Sequence, residues 1–190
     1  MEGKAGLKAW MAVGCLGAVV WGIMEPFTFL YAVQFKGADA LTLGTMITVS
    51  TLVSILVALP INSIADRRGR KYAFYLVRPF LYVWMVLLVV APDPRWLIVA
   101  WAFRGVAMGS SAYGTLGMEL VPAGQRGRWL GMTSTISSLF SIPAPIIGGI
   151  LYSGLNPSLL FIIPLLIDLG IRMPILAFKV PETIRRKTPE

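Results

Sequence analysis

A chain of 190 residues that is 56% hydrophobic and only 14% charged, with a mean hydropathy of +0.74, carries more apolar surface than the roughly 45–50% typical of soluble domains and belongs in a bilayer. With no histidine and one cysteine, it excludes Ser-His triads, His-ligated haem and His- or Cys-based metal sites, so neither cofactor nor metal is expected. The net charge of +8 comes from 17 Lys and Arg against 9 Asp and Glu, but the basic residues are divided among the ends of apolar stretches and form no single face, which argues against nucleic acid as a partner.

A hydrocarbon core about 30 Å thick is crossed by about 20 helical residues, and six stretches qualify: 9–33, 41–64, 72–91, 95–118, 129–152 and 157–179. The expected fold is therefore all-α, a polytopic membrane protein with one six-helix bundle over residues 1–180 and a polar tail over 181–190 that frays. The first span follows Lys4 and Lys8. It is too long for the roughly 7–15-residue core of a signal peptide and no A-x-A-like site follows it, so it is retained as a span. Cys15 reads as a packing residue within it. Gly14, Ala18 and Gly22 put small residues on one face, where a neighbouring backbone can approach closely. In the outer half of this span stands Glu25, directly before Pro26.

The first outer loop runs from Gln34 to Ala40, and the loop after the second span carries Asn62 and then Asp66-Arg67-Arg68-Gly69-Arg70-Lys71. Gly69 lets the backbone reverse, Asp66 stands where a helix ends, and the cationic side chains can bond exposed carbonyls and lipid phosphates. The third span holds Arg78, only a turn or two from the inner surface and close enough to snorkel. After Pro92-Asp93-Pro94-Arg95, the fourth span places Arg104 near the bilayer centre beside Gly105 and Gly109. The fifth carries Gly131, serines at 134, 137, 138 and 141, Pro143, Pro145, Gly148 and Gly149. The last outer loop, Ser153 to Pro157, leads to a sixth span with Asp168 and Arg172 four residues apart, spaced to pair on one face. Prolines at 26, 60, 79, 143, 145, 164 and 174 are expected to interrupt spans, as is tolerated where neighbours or a cavity satisfy the freed carbonyls.

Lys4, Lys8, Arg67, Arg68, Arg70, Lys71, Arg126, Arg128, Lys179, Arg185, Arg186 and Lys187 fall on one side of this topology, and Lys36 and Arg95 on the other. The positive-inside rule then puts both termini in the cytoplasm of a plasma or inner membrane. Five ionisable residues remain inside spans: Glu25, Arg78, Arg104, Asp168 and Arg172. Each costs about 2.5–3.5 kcal/mol at mid-span, so each is a candidate for substrate binding or proton coupling. Glu25 has no basic neighbour on its own helix. Two readings fit it: an acid that loads and releases a proton as a cavity turns wet and dry, or a hydrogen-bonding brace for the break at Pro26.

The order Asp66-Arg67-x-Gly69-Arg70-Lys71 between the second and third spans resembles the signature of the major facilitator superfamily, with Asn62 where that family usually has glycine. Arg104-Gly105-x3-Gly109 resembles the family's fourth helix, Gly131, Pro145, Gly148 and Gly149 resemble part of its antiporter signature, with Phe140 and Ala144 replacing two glycines, and Pro181-Glu182-Thr183 resembles the exit of a family half. The resemblance implies a six-span half, with Asp66 and Arg67 latching one half to the other near the cytoplasmic surface. It implies secondary transport of a small solute by alternating access between two bundles, with the second bundle supplied by an identical chain in a parallel homodimer or by a complementary half. The expected partners are lipid, a small-molecule substrate and protons. A membrane scaffold without transport is the alternative, and no nucleophile-base pair supports an enzyme.

Overall fold

The computed structural model describes residues 2–154 and 156–180 and is helical apart from short connections, with no strand among the described residues. The first stretch forms a single 35-residue helix, α1 (Glu2–Lys36). The break expected at Pro26 does not occur: α1 runs through it. Residues on both sides of the proline, among them Ile23, Met24, Tyr31 and Ala32, are buried, so packing holds the axis across the one lost hydrogen bond. As a result the first outer connection is only residues 37–39, shorter than expected.

Asp39 caps the next helix, α2 (Ala40–Arg68), by accepting the Thr42 N–H at 2.8 Å. The Thr42 hydroxyl donates to the same oxygen, and these two bonds, the hydroxyl first, hold the Asp39 carboxyl below its ordinary pKa. Gly69, at φ +109°, divides α2 from α3 (Arg70–Val90), a backbone conformation open to glycine. Lys36 donates to the carbonyls of Val89 and Ala91, both at 2.8 Å, closing the last turn of α3.

The fourth stretch departs from the continuous span expected over 95–118. It forms α4 (Pro94–Met108) and α5 (Ala112–Glu119), separated at Gly109, Ser110 and Ser111. Asn62 of α2 satisfies that break, its amide donating to Gly109 O at 3.4 Å and its Oδ1 accepting the Ser111 N–H at 3.1 Å and hydroxyl at 2.9 Å. The departure from the family's glycine at this position thus has a structural use. The fifth stretch begins earlier than expected and is also divided, into α6 (Arg126–Ser141) and α7 (Ala144–Gly154), at Ile142 and Pro143. In the sixth, α8 (Leu159–Ile167) passes through a π-helical turn at Asp168–Arg172 into α9 (Met173–Lys179). The Met173 N–H there reaches back five residues to Asp168 O, a widened register directly before Pro174, which has no N–H to give. Among the described residues five helices, counting α6–α7 and α8–α9 as one each, are long and apolar enough to cross a bilayer, and α4 with α5 makes up the remaining, fourth stretch. Arg185, Arg186, Lys187, the Pro181-Glu182-Thr183 segment and the tail lie outside the described residues.

Helix α1 is central, packed against α6, α7, α8 and α9, while α2, α3 and α4 form the opposite side and α3 joins the two through α5 and α8. Glycines decide the closest contacts. A Cβ on Gly105 would overlap Ser50 O, and one on Gly109 would lie 2.8 Å from Ser54 O, so this pair lets α4 touch the backbone of α2. On the other side a Cβ on Gly148 would overlap Ile23 O, and one on Gly22 would lie 2.8 Å from Ala144 Cβ. Gly149 has only an ordinary contact with Phe27, and Gly131, expected to pack, has nothing within 4 Å. Pro145 is exposed at the start of α7. Gly105→Leu should force α4 from α2, lowering stability by about 1–3 kcal/mol or more, measured by thermal unfolding in detergent. An unchanged midpoint would show that the seam is looser than drawn.

The apolar interior is in two tiers along the helix axes. Residues such as Met24, Leu81, Trp84, Trp101 and Phe161 form one, and Trp10, Val13, Phe74, Leu116 and Leu176 the other. Along their helices Arg78, Asp168 and Arg172 fall between members of the two tiers.

Candidate functional site

Asp168 and Arg172, spaced to pair by sequence, do so: Arg172 Nη1 donates to Asp168 Oδ1 at 2.8 Å. Both are buried, 1% and 4% exposed. Three features of the fold place them. The π turn orients the pair inward, Gly17 of α1 leaves room for the guanidinium, where a Cβ would lie 2.6 Å from Arg172 Nη2, and Arg172 Nε donates to Val13 O at 3.0 Å. The second carboxylate oxygen, Oδ2, accepts the Tyr82 hydroxyl at 2.8 Å. Arg78 does not snorkel to the inner surface. It is 7% exposed and points into the bundle, Nη2 at 3.5 Å from Asp168 Oδ1, with its guanidinium 4.4 Å from the Phe74 ring centroid. The charge attraction to Asp168 and the aromatic face outweigh the short route to water.

Arg78 and Arg172 form one wall of a cavity of about 160 Å³ also lined by Trp21, Phe74, Met108 and Tyr113. Trp21 continues toward a second charged pair. Glu25, with no partner on its own helix, is not unpaired: Arg104 Nη2 lies 3.0 Å from its Oε1 and bonds α4 to α1. Trp21 and Trp84 flank the Arg104 guanidinium at 5.8 and 5.5 Å. Unlike the Asp168 cluster, this pair is open, its side chains 46% and 22% exposed. The exposed face belongs to α1 and α4, whose hydrocarbon-depth location leaves it in need of a polar or protein-lined neighbour.

At the end of the bundle that carries the Gly69 turn, the signature residues make a compact charge network. Arg70 pairs with Asp66 at 2.7 Å and with Glu119, the last residue of α5, at 3.3 Å. Lys71 donates to Ala177 O at 2.6 Å and Val180 O at 2.9 Å, capping α9 as its charge suggested. Gly69 makes the turn that permits this, and Arg67 is exposed.

Sequence reasoning missed Tyr82, Trp21, Trp84 and Glu119. Tyr82 stands four residues after Arg78 on the same face of α3, a usable signal. Glu119 is the acid nearest the inner end of the fourth stretch and could have been sought as a partner for Arg70. The two tryptophans carry no local mark.

A helical bundle with membrane-spanning helices, buried ionic groups, glycine-sealed helix seams and a charged turn at one end defines a polytopic membrane protein. The sequence matches the Major Facilitator Superfamily over residues 6–189, and the chain belongs to that family. It is also similar to Multidrug resistance protein 3 of Bacillus subtilis (strain 168), 27% identical over 114 residues, a stretch that makes up 58% of this chain and 22% of that protein. The chain thus spans well under two thirds of that relative. The family is one of transporters, not enzymes, and the apolar helices make the protein an integral membrane protein.

Proposed function

We propose that the chain is a proton-coupled secondary transporter of a small solute that works by alternating access, with a second six-span bundle facing α1 and α4. The observation that carries this reading is the Glu25–Arg104 pair. It joins two helices at membrane depth, its side chains are partly exposed in a single bundle, and an ionic pair in that position is stable only beside a water-filled cavity or another protein surface. A second copy related by an axis along the membrane normal would supply that surface and bring two such pairs to one cavity. Both termini are then cytoplasmic, by the bias of basic residues. In this cycle protonation of Glu25 releases Arg104, and the two helices are free to change their contacts.

The test is uptake by purified protein in liposomes after an imposed pH step, alongside native mass measurement in lipid. Accumulation against a gradient together with a mass near twice 20.7 kDa supports the reading. A species that never moves solute under any gradient returns the chain to a scaffold role, and a transport-competent monomer removes the homodimer.

Asp66, Arg67 and Arg70 are assigned to conformational balance. The Arg70 bonds to Asp66 and Glu119 couple the turn to α5, and the exposed Asp66 and Arg67 are available to a second bundle. Since a partly exposed pair contributes only about 0–1 kcal/mol, Asp66→Ala should leave thermal stability nearly unchanged. It should instead shift the labelling of cavity cysteines between the two faces, with solute affinity of the competent state within a few-fold. Labelling identical to the parent protein would refute the latch.

A further inference from the structure

The cluster around Asp168 holds one positive charge more than its carboxylate neutralises, and the bonding shows which cation is in surplus. Tyr82 and Arg172 take both oxygens of Asp168 at 2.8 Å each, and Arg172 also bonds Val13 O at 3.0 Å. Those three bonds already tie α1, α3 and the π turn together. Arg78 is left with a 3.5 Å approach to an oxygen that Arg172 already uses. Its Nε has no hydrogen-bond partner, although the residue is more than nine-tenths buried. Arginine stays charged in proteins, and a buried guanidinium with unused donors is costly at this depth. The other carboxylate within a span, Glu25, is paired with Arg104.

The surplus charge faces a space. Arg78 lines the cavity of about 160 Å³ together with Trp21, Phe74, Met108 and Tyr113, so a charged end and an aromatic, thioether-lined wall meet in one volume. The volume is below the roughly 300 Å³ at which drug-sized sites begin. Planar guanidinium donors match the oxygens of a carboxylate, phosphate or sulfonate, and the aromatic wall matches a small apolar body.

We propose that this cavity is a binding site for small organic monoanions, with Arg78 as the contact to the anionic group and Trp21, Phe74 and Met108 holding the apolar remainder. It rests on the transport reading in naming this anion class as the substrate, while the site itself stands on the geometry of the cluster. An aromatic carboxylate fits both ends; a cation of the same shape meets an uncompensated arginine.

Binding is to be measured on the full chain in detergent, without any gradient, by the shift of the unfolding midpoint and by quenching of tryptophan fluorescence, using benzoate, benzylammonium and chloride as probes. Benzoate is expected to bind saturably and benzylammonium not to bind, with chloride displacing benzoate only at far higher concentration. Arg78→Gln should weaken benzoate binding at least tenfold, and Arg78→Lys should restore part of it. Met108→Trp, which puts a larger side chain on the cavity wall and leaves every charged residue in place, should also block benzoate and keeps the test decisive should Arg78→Gln fail to fold. Saturable binding of benzylammonium equal to that of benzoate, or a benzoate affinity unchanged in Met108→Trp or Arg78→Gln, would overturn the site. Chloride competing on equal terms would overturn the organic character of the ligand. Because no gradient is involved, a protein that binds benzoate but transports nothing loses the transport reading alone, and one that transports but ignores benzoate loses this inference alone.

Discussion

Proteoliposomes carrying Glu25→Gln are expected to lose pH-driven uptake down to the level of empty vesicles while retaining downhill exchange of solute. Glutamine keeps a carbonyl oxygen that can accept from Arg104, so the bond between α1 and α4 survives in neutral form. What it cannot do is gain or lose a proton. Since the pair is partly exposed, its loss as an ion pair should change stability by no more than about 1 kcal/mol, so a defect in uptake would not be a defect in folding. Unaltered proton dependence in this variant would sink Glu25 as the coupling acid and leave Asp168, the buried carboxylate of the bundle, as the remaining candidate.

The largest effect on stability is expected at Asp168. Its carboxylate is the one counter-charge between two buried arginines, bonded to Arg172 at 2.8 Å and 3.5 Å from Arg78, and it is 1% exposed. Asp168→Ala removes the counter-charge and leaves both guanidinium groups uncompensated, which should cost about 3–5 kcal/mol. Tyr82→Phe deletes only the donor to Oδ2 and should cost about 1 kcal/mol. Thermal or denaturant unfolding in detergent would rank the two. An Asp168→Ala protein within 1 kcal/mol of the parent would mean that water or lipid headgroups already solvate the cluster, and the description of a dry ionic core would have to be abandoned.

The two charged sites differ in a way that bears on mechanism. The Asp168 cluster is buried and bonded from several helices, whereas the Glu25–Arg104 pair bridges two helices on an open face. Trp21 contributes to the wall of the first and covers the arginine of the second. In the proposed cycle, solute binding near Arg78 and proton exchange at Glu25 would be felt through one side chain, and the two processes need no longer route to be coupled.

Much of the fold was legible in the chain itself. Six apolar stretches of sufficient length dictate a polytopic helical protein, because a backbone in hydrocarbon must satisfy its own hydrogen bonds. The turn at Gly69 and the capping by Lys71 followed from local chemistry: a positive φ and exposed carbonyls need a glycine and a cation nearby. The pairing of Asp168 with Arg172 followed from helical spacing. Tertiary structure alone decided the rest. Pro26 marks a lost hydrogen bond but not a break, since whether a helix kinks depends on what packs around it. The interruption at Gly109 to Ser111 needs Asn62 of another helix to be tolerated. Arg78 could have reached the inner surface, and it turns inward because Asp168 arrives from the π turn to join Phe74, one turn back on Arg78's own helix. Glu25 lacks a partner within its own helix and finds one 79 residues away in sequence, at Arg104. Local sequence sets which helices form and where charge is available; which charges meet depends on long-range packing that no window of sequence contains.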